Sequence, residues 1–361
     1  MNDPYWHDGL RILCVRPDNF GDVLMTTPAL RALKQTWPNG HLTLLTSSVG
    51  AAVAPILPEV DDVIRFDVPW VSSEKAQDPA AVLQMAETLR QQAFDAAIVF
   101  TVQSQNPLPT AMLCYLAGIP RVLGYCRENP YHLLTDWVPD PEVLVATRHE
   151  VERQLALVAT VGCQTDDTHL SVRLPDGARA WATQRLRQAG VDPARPWLVL
   201  HAGVSEEKRR YPADGFVKAA HRLADVYDYQ IVLTGSASEW AYVDTLRRQI
   251  GPDAFNLAGT MNLPGLAGLL AEAPVLIANN TGPVHLSAAV GTPVVVTYGK
   301  TNPQHTPWRV PSRVLYFDVP PALRSRNVLL QHFPEPAEPT ASPDAIVQAV
   351  NELAGVTVVT R

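Results

Sequence analysis

Residues 274–285 read PVLIANNTGPVH, an apolar run that passes directly into turn and capping residues. Val275, Leu276, Ile277 and Ala278 have the length and aliphatic character of a buried strand. Asn279, Asn280 and Thr281 follow as turn and cap formers, and Pro283 falls in the first turn of a helix, where its missing N–H costs nothing. The helix continues through Leu286, Ala288, Ala289 and Val290, and Gly291-Thr292-Pro293 stops it before a second apolar run at residues 294–298. A strand that runs straight into a helix also makes an anion site. Amides at Thr281, Gly282 and Val284 would point towards the carboxyl end of the strand, where the helix dipole favours negative charge. Gly282, without a Cβ, would let a diphosphate approach the backbone. An ordinary capped helix fits the same residues, and the segment alone leaves both readings open.

Working outward, the rest of the chain repeats this unit. Short aliphatic runs at residues 11–15, 41–46, 62–66, 96–100 and 121–124 alternate with amphipathic stretches at 80–91, 107–116 and 147–161. Between the first two runs, Val23, Thr27, Leu30, Leu33 and Trp37 recur at helical spacing. Pro28 interrupts that stretch, and a kink or break near Thr27 is expected. After a polar, linker-like stretch at residues 163–167, a second series begins. Strands are expected at 197–201 and 230–235, and helices at 213–227, 239–250 and 263–270. The Pro-rich segment 301–343 reads as loop with one strand at 314–317, and residues 345–353 as a closing helix. The pattern predicts an α/β protein with an N-terminal half at 1–170 and a C-terminal half at 171–361.

At 361 residues with 47% hydrophobic content, the chain can fill two cores. No apolar run approaches a membrane span, and the first residues lack a basic stretch followed by an apolar one, so a cytoplasmic location is expected. Cys14, Cys114, Cys126 and Cys163 lie far apart without CxxC spacing and read as buried thiols. A net charge of −7 argues against general affinity for nucleic acid or anionic lipid.

The candidate chemistry lies at strand ends. Asn19, Gly21 and Asp22 follow the first strand, on the side where open α/β sheets bind ligands. Asp22 reads either as a carboxylate aimed at a ligand by a turn at Gly21 or as a helix N-cap. The loop is not GxGxxG and no acidic residue follows at ribose spacing, which disfavours a nicotinamide enzyme. In the second half, His201 to Pro212 leave a strand with Gly203 and Val204 in the loop and Lys208 just before a helix. Lys208 could act as a point charge on a diphosphate, although Lys208, Arg209 and Arg210 also read as a solvated basic cluster. Glu239 could accept from ribose hydroxyls or be a first-turn helix glutamate. Met261 could line a base pocket or fill core. His285 could donate to a phosphate or be a satisfied core histidine. No metal-ligand spacing, G-x-S-x-G elbow or Walker A loop is present.

Taken together, Gly21-Asp22-Val23-Leu24 with Thr27-Pro28-Ala29-Leu30, His201 through Lys208 with Tyr211-Pro212, Asn280 through Leu286 with Ala288-Ala289, and Thr301 through Trp308 resemble glycosyltransferase family 9, the heptosyltransferases. The resemblance implies a GT-B fold, two Rossmann-like domains with parallel sheets facing each other across a cleft, the acceptor bound by the first and the nucleotide-sugar donor by the second. It implies an inverting, metal-independent transfer without a cofactor. Asp22 then matches the general base, with Asn19 beside it on the acceptor side, and Lys208 the basic residue near the donor phosphates. Gly203, Val204, Glu239, Met261, Asn280, Thr281, Gly282 and His285 match donor-binding positions. ADP-heptose is the implied donor and a lipopolysaccharide-type, other saccharide or lipid-linked molecule the acceptor, with at most peripheral contact at the inner face of the membrane. One departure is Asn280, where many members carry Asp. A nucleotide-sugar epimerase and a sugar-nucleotide-binding protein without turnover are the competing expectations.

Overall fold

Aliphatic segments too short for helices and apolar on both faces form two separate six-stranded sheets, every strand parallel to its neighbours. The computed structural model describes residues 5–71, 78–140, 148–299, 303–319 and 339–355. The chain divides into two compact units, one ending at Ser171 and the other starting at Val172.

The first unit carries β1 (Arg11–Arg16), α1 (Phe20–Thr36), β2 (His41–Thr46), β3 (Asp62–Arg65), α2 (Pro79–Gln91), β4 (Ala96–Val99), α3 (Leu108–Leu116), β5 (Val122–Cys126), β6 (Asp136–Pro139) and α4 (Glu150–Ala159). Its strand order is β3-β2-β1-β4-β5-β6, so the direction of winding reverses between β1 and β4. In the second unit come α5 (Ala178–Gln188), β7 (Trp197–His201), α6 (Ala213–Tyr227), β8 (Gln230–Leu233), α7 (Trp240–Ile250), β9 (Ala254–Asn256), α8 (Leu263–Glu272), β10 (Leu276–Asn279), α9 (Gly282–Val290), β11 (Val294–Gly299), β12 (Ser312–Phe317) and α10 (Pro343–Ala354). Their order, β12-β11-β10-β7-β8-β9, reverses between β10 and β7. Ligands of doubly wound sheets bind outside the carboxyl ends of the strands at such reversals. The second core shows why the sequence folds this way. Phe216, Ala219, Ala220 and Leu223 form one stripe of α6, and Ile346, Val347 and Val350 one stripe of α10, both buried with Leu198, Leu200, Ile231 and Leu233 of the sheet.

Pro28 does not break α1, which runs unbroken from Phe20 to Thr36. The proline deprives the Leu24 carbonyl of its helical donor, and the Thr27 hydroxyl takes that place, donating to Leu24 O at 2.7 Å while accepting from the Ser171 amide at 3.0 Å. The polar stretch after Cys163 is correspondingly fastened to the first unit. Arg31 Nη1 donates to the carbonyls of Asp167 and His169, and Ser171 Oγ donates to Glu59 at 2.6 Å. The helix read at 147–161 begins at Glu150, where His149 accepts from the Val151 amide as cap; residue 147 lies outside the described residues. Among the labelled strands and α-helices, three were not foreseen. β6 is a four-residue edge strand ending in proline, β9 has three residues, and α5 buries only Ala182 and Leu186. Each carries too little apolar signal to register as a period. Residues 301–302 and 320–338 of the Pro-rich segment lie outside the described residues, and the remainder holds β12. All four cysteines are buried and unpaired, and burial pushes the thiols of Cys114 and Cys163 up to about 12, so neither of these two is poised as a nucleophile.

Candidate active site

The first reversal places β1 beside β4, and a charged residue ends β1 where an aliphatic one would suit the core. Arg16 is fully buried, and its guanidinium lies 3.0 Å from Asp18, 2.9 Å from Glu150 and 3.4 Å from Asp22. Burial disfavours the charge, but Asp18, Glu150 and Asp22 outweigh it and hold the guanidinium firmly protonated. Asp22 is not the N-cap. The cap is the exposed Asn19, whose carbonyl accepts from the amides of Asp22 and Val23 at 3.0 and 3.2 Å without a side-chain bond. Gly21 is likewise helical rather than a turn residue. Asp22 therefore sits in the first turn of α1 with its carboxylate 18% exposed. Burial raises the Asp18 carboxyl to about 6, against the pull of Arg16; the Asp22 charge adds to the rise, and Gln105, 2.5 Å away, opposes it. Gln105 also lines a cavity of about 250 Å³ beyond the ends of β4 and β5, together with Asn106, Tyr125, Arg127, Glu128 and Asp140.

At the second reversal, the loops after β7 and β10 lie side by side, held by a buried amide. Asn279 accepts from the Tyr211 amide at 2.9 Å and from the Thr297 hydroxyl at 3.0 Å, and donates to Ala202 O at 2.8 Å. Asn279→Ala should orphan the Tyr211 amide and the Ala202 carbonyl and cost about 2–4 kcal/mol, read as a fall in the denaturation midpoint. Next to it Asn280 is 2% exposed, and its side chain bonds Tyr298, whose hydroxyl burial keeps protonated. Thr281 caps α9, with its hydroxyl donating to Asn279 O at 3.2 Å, so the first amides of α9 gain nothing from that side chain. His285 is 4% exposed, its ring edge-on to that of His305 at 6.3 Å.

Lys208 sits on a 3₁₀ turn, Glu207–Arg209, with Nζ 2.6 Å from Glu206. The turn rests on the end of β11, where a Cβ on Gly299 would lie 2.9 Å from the Lys208 carbonyl. Arg209 and Arg210 do not form a solvated cluster. Both are largely covered, Arg209 paired to Glu206 and acting on the Tyr298 hydroxyl, Arg210 paired to Glu207 and stacked on Tyr242. Glu239 closes a capping box, one oxygen accepting from the amide and hydroxyl of Ser236 at 2.8 Å each. The other oxygen occupies the space of a missing side chain: a Cβ on Gly203 would stand 2.2 Å from it. His201 lies in the same group, with Nδ1 3.0 Å from the Thr234 hydroxyl, and burial, partly offset by Glu239, pushes it towards the neutral form. Met261 is half-buried on a loop that docks against this turn, since the Gly259 amide donates to Gly235 O at 2.9 Å. Gly203, Glu239, Lys208, Asn280, Thr281 and Gly282 are thus gathered at one end of one sheet. Val204 is half-buried beside Gly203. Gly203→Ala should push Glu239 out of its capping position and cost about 1 kcal/mol, read as a fall in the denaturation midpoint.

A family model described as glycosyltransferase family 9 (heptosyltransferase) matches residues 82–332. The chain belongs to this family. It is a glycosyltransferase. Lipopolysaccharide heptosyltransferase 2 of Escherichia coli K12 is 25% identical to it over 311 residues, covering 82% of this chain and 85% of that protein. A family 9 glycosyltransferase structure from Veillonella parvula superposes with a TM-score of 0.79 at 20% identity, covering 98% of this chain and 99% of that one. The structure of E. coli ADP-heptose lps heptosyltransferase II gives 0.72 at 22% identity, covering 96% and 98%. These likenesses establish the GT-B class for the two Rossmann-like halves. Among the described residues of this glycosyltransferase, no helix is long and apolar enough to cross a membrane, and no group of three His, Cys, Asp or Glu side chains could hold a metal ion.

Sequence reasoning missed Arg16, Asp18 and Glu150 around Asp22, and Asn279 beneath the loops after β7 and β10. A signal for Arg16 was present, since an arginine closing an apolar strand requires buried acidic partners. Nothing in the sequence marked Asn279 above its neighbour Asn280.

Proposed function

We propose that this enzyme transfers a heptose from ADP-heptose to a saccharide acceptor of the lipopolysaccharide core type, with inversion and without a metal. The observation that carries the reading is Asp22, a partly exposed carboxylate at the reversal of the first sheet, tethered by a buried guanidinium. The acceptor hydroxyl attacks the anomeric carbon as the bond from that carbon to the diphosphate oxygen breaks, and its proton passes to Asp22. A single displacement inverts the centre. The departing ADP gathers negative charge, which Lys208 and the first amides of α9 would neutralise. Glu239 and Met261 would hold the ribose and adenine, with Gly203 and Val204 offering backbone groups to the phosphates and His285 a ring N–H. Asn19 and the polar cavity beside Gln105 suit a polyhydroxylated acceptor. Heptose as the sugar and lipopolysaccharide as the acceptor come from the names of the relatives, and action at the inner face of the membrane follows from that acceptor class.

Incubation with ADP-heptose and a heptose-deficient core saccharide, with products analysed by mass and anomeric configuration, tests the reading. Conversion of ADP-heptose without an acceptor would identify an epimerase instead. A thermal-shift panel of ADP-, GDP-, UDP- and dTDP-sugars tests the nucleotide, since only ligands of the native state raise its melting point. Asn280 does not favour a binding protein without turnover. Its amide is engaged by Tyr298 inside the fold, so an amide in place of a carboxylate is accounted for by packing.

A further inference from the structure

Three carboxylates from three parts of the first unit converge on one buried guanidinium. Arg16 closes β1, Asp18 lies in the following loop, Asp22 sits in the first turn of α1 and Glu150 begins α4, and all three acids lie within 3.4 Å of the arginine. With every group ionised the cluster carries three negative charges against one positive. Neutral donors supply part of the difference: Gln105 Nε2 reaches Asp18 at 2.5 Å and Gln154 Nε2 reaches Glu150 at 2.6 Å. A purely structural ion pair is better balanced, because surplus buried charge destabilises a fold. Arg153, one turn along α4, shows the balanced kind, with both Nη nitrogens on the two oxygens of Asp140.

We infer that Arg16 and Asp18 are positioning residues for proton transfer, Arg16 fixing the Asp22 carboxylate and Asp18 offsetting the guanidinium so that Asp22 stays basic. The inference rests on Asp22 as the base. An arginine facing Asp22 alone would draw the carboxylate towards its ionised form and weaken it as a proton acceptor. Here Asp18 and Glu150 compete for the same guanidinium, and their charges act on Asp22 with the opposite sign. Burial is the main cause of the raised proton affinity of Asp18, and the Asp22 charge adds to it. Asp18 from the loop and Glu150 from α4 share the Arg16 guanidinium with Asp22, while Arg153 is engaged by Asp140 and Arg148 by Tyr125.

The pH profile of kcat tests this, with thermal melting at each pH to follow the folded fraction. Asp18→Asn removes the charge and keeps the shape. Its acid limb is expected to move about half to one unit towards lower pH, with a several-fold lower plateau, since a weaker base takes the proton less readily. Arg16→Gln should move the limb the opposite way, and Arg16→Lys should return it towards wild type. If Arg16→Gln does not fold, Asp18→Asn decides alone. An acid limb that stays where it is in Asp18→Asn, whatever its melting temperature, would mean packing only and overturn the inference. Asp22→Asn separates the two levels: undiminished turnover there overturns the base assignment itself, whereas an inactive Asp22→Asn with an unmoved Asp18→Asn limb overturns only the network.

Discussion

Asp22→Asn is expected to lower kcat by about a thousandfold while leaving donor affinity within about threefold of wild type. The amide keeps the size of the carboxylate but cannot take a proton at neutral pH, so the loss falls on the step in which the acceptor hydroxyl is deprotonated. Donor binding should survive because every candidate donor contact belongs to the second unit and Asp22 to the first. Asn is a cleaner probe than Ala, which also removes the side chain that Arg16 touches at 3.4 Å and leaves the buried guanidinium one partner short. Steady-state assays with saturating acceptor, paired with calorimetric titration of the donor, separate the two quantities. Turnover near the wild-type rate would remove Asp22 from the chemistry.

Lys208→Met should reduce kcat/KM by about a hundred- to a thousandfold, the scale on which a single charge stabiliser of a transition state acts. The side chain is 30% exposed and its Glu206 partner 42%, so the pair contributes little to folding and the loss should not arise from unfolding. Glu206 instead keeps the ammonium in place on a turn seated against Gly299, where a larger residue would displace it. Arg at this position keeps the charge but not the compact point geometry, and partial recovery is expected. A donor with a less basic leaving group offers the sharpest check. It should restore turnover to Lys208→Met, where leaving-group charge limits the rate, and not to Asp22→Asn, where the nucleophile does. Equal rescue of both variants would refute the division of labour.

Much of this was legible in the chain. The run from Val275 into Pro283 is at once a strand signal, a helix start and a phosphate-site pattern, and β10, α9 and β11 follow it closely. Helix α6 and strands β2 and β7 fall at the bounds read from periodicity. Elements with few buried residues did not, and the Pro28 break failed because a neighbouring hydroxyl supplied the donor that proline lacks. Within the candidate site, Glu239 takes one of the two roles it was weighed between, that of a helix-start glutamate. It is a capping glutamate whose second oxygen faces Gly203.

The sequence by itself determined the alternation of strand and helix, the ordering of the motifs and, through them, the family, because those features depend on residues close together in the chain. Strand order, by contrast, arises only when the sheets assemble. It is strand order that sets β1 against β4 and β7 against β10, bringing Glu150 onto Arg16, Tyr211 onto Asn279 and Glu239 under Gly203. Whether a charged or amide side chain in a loop is solvated, structural or poised for chemistry depends on such distant partners, since burial makes an unpaired polar group costly and a paired one specific.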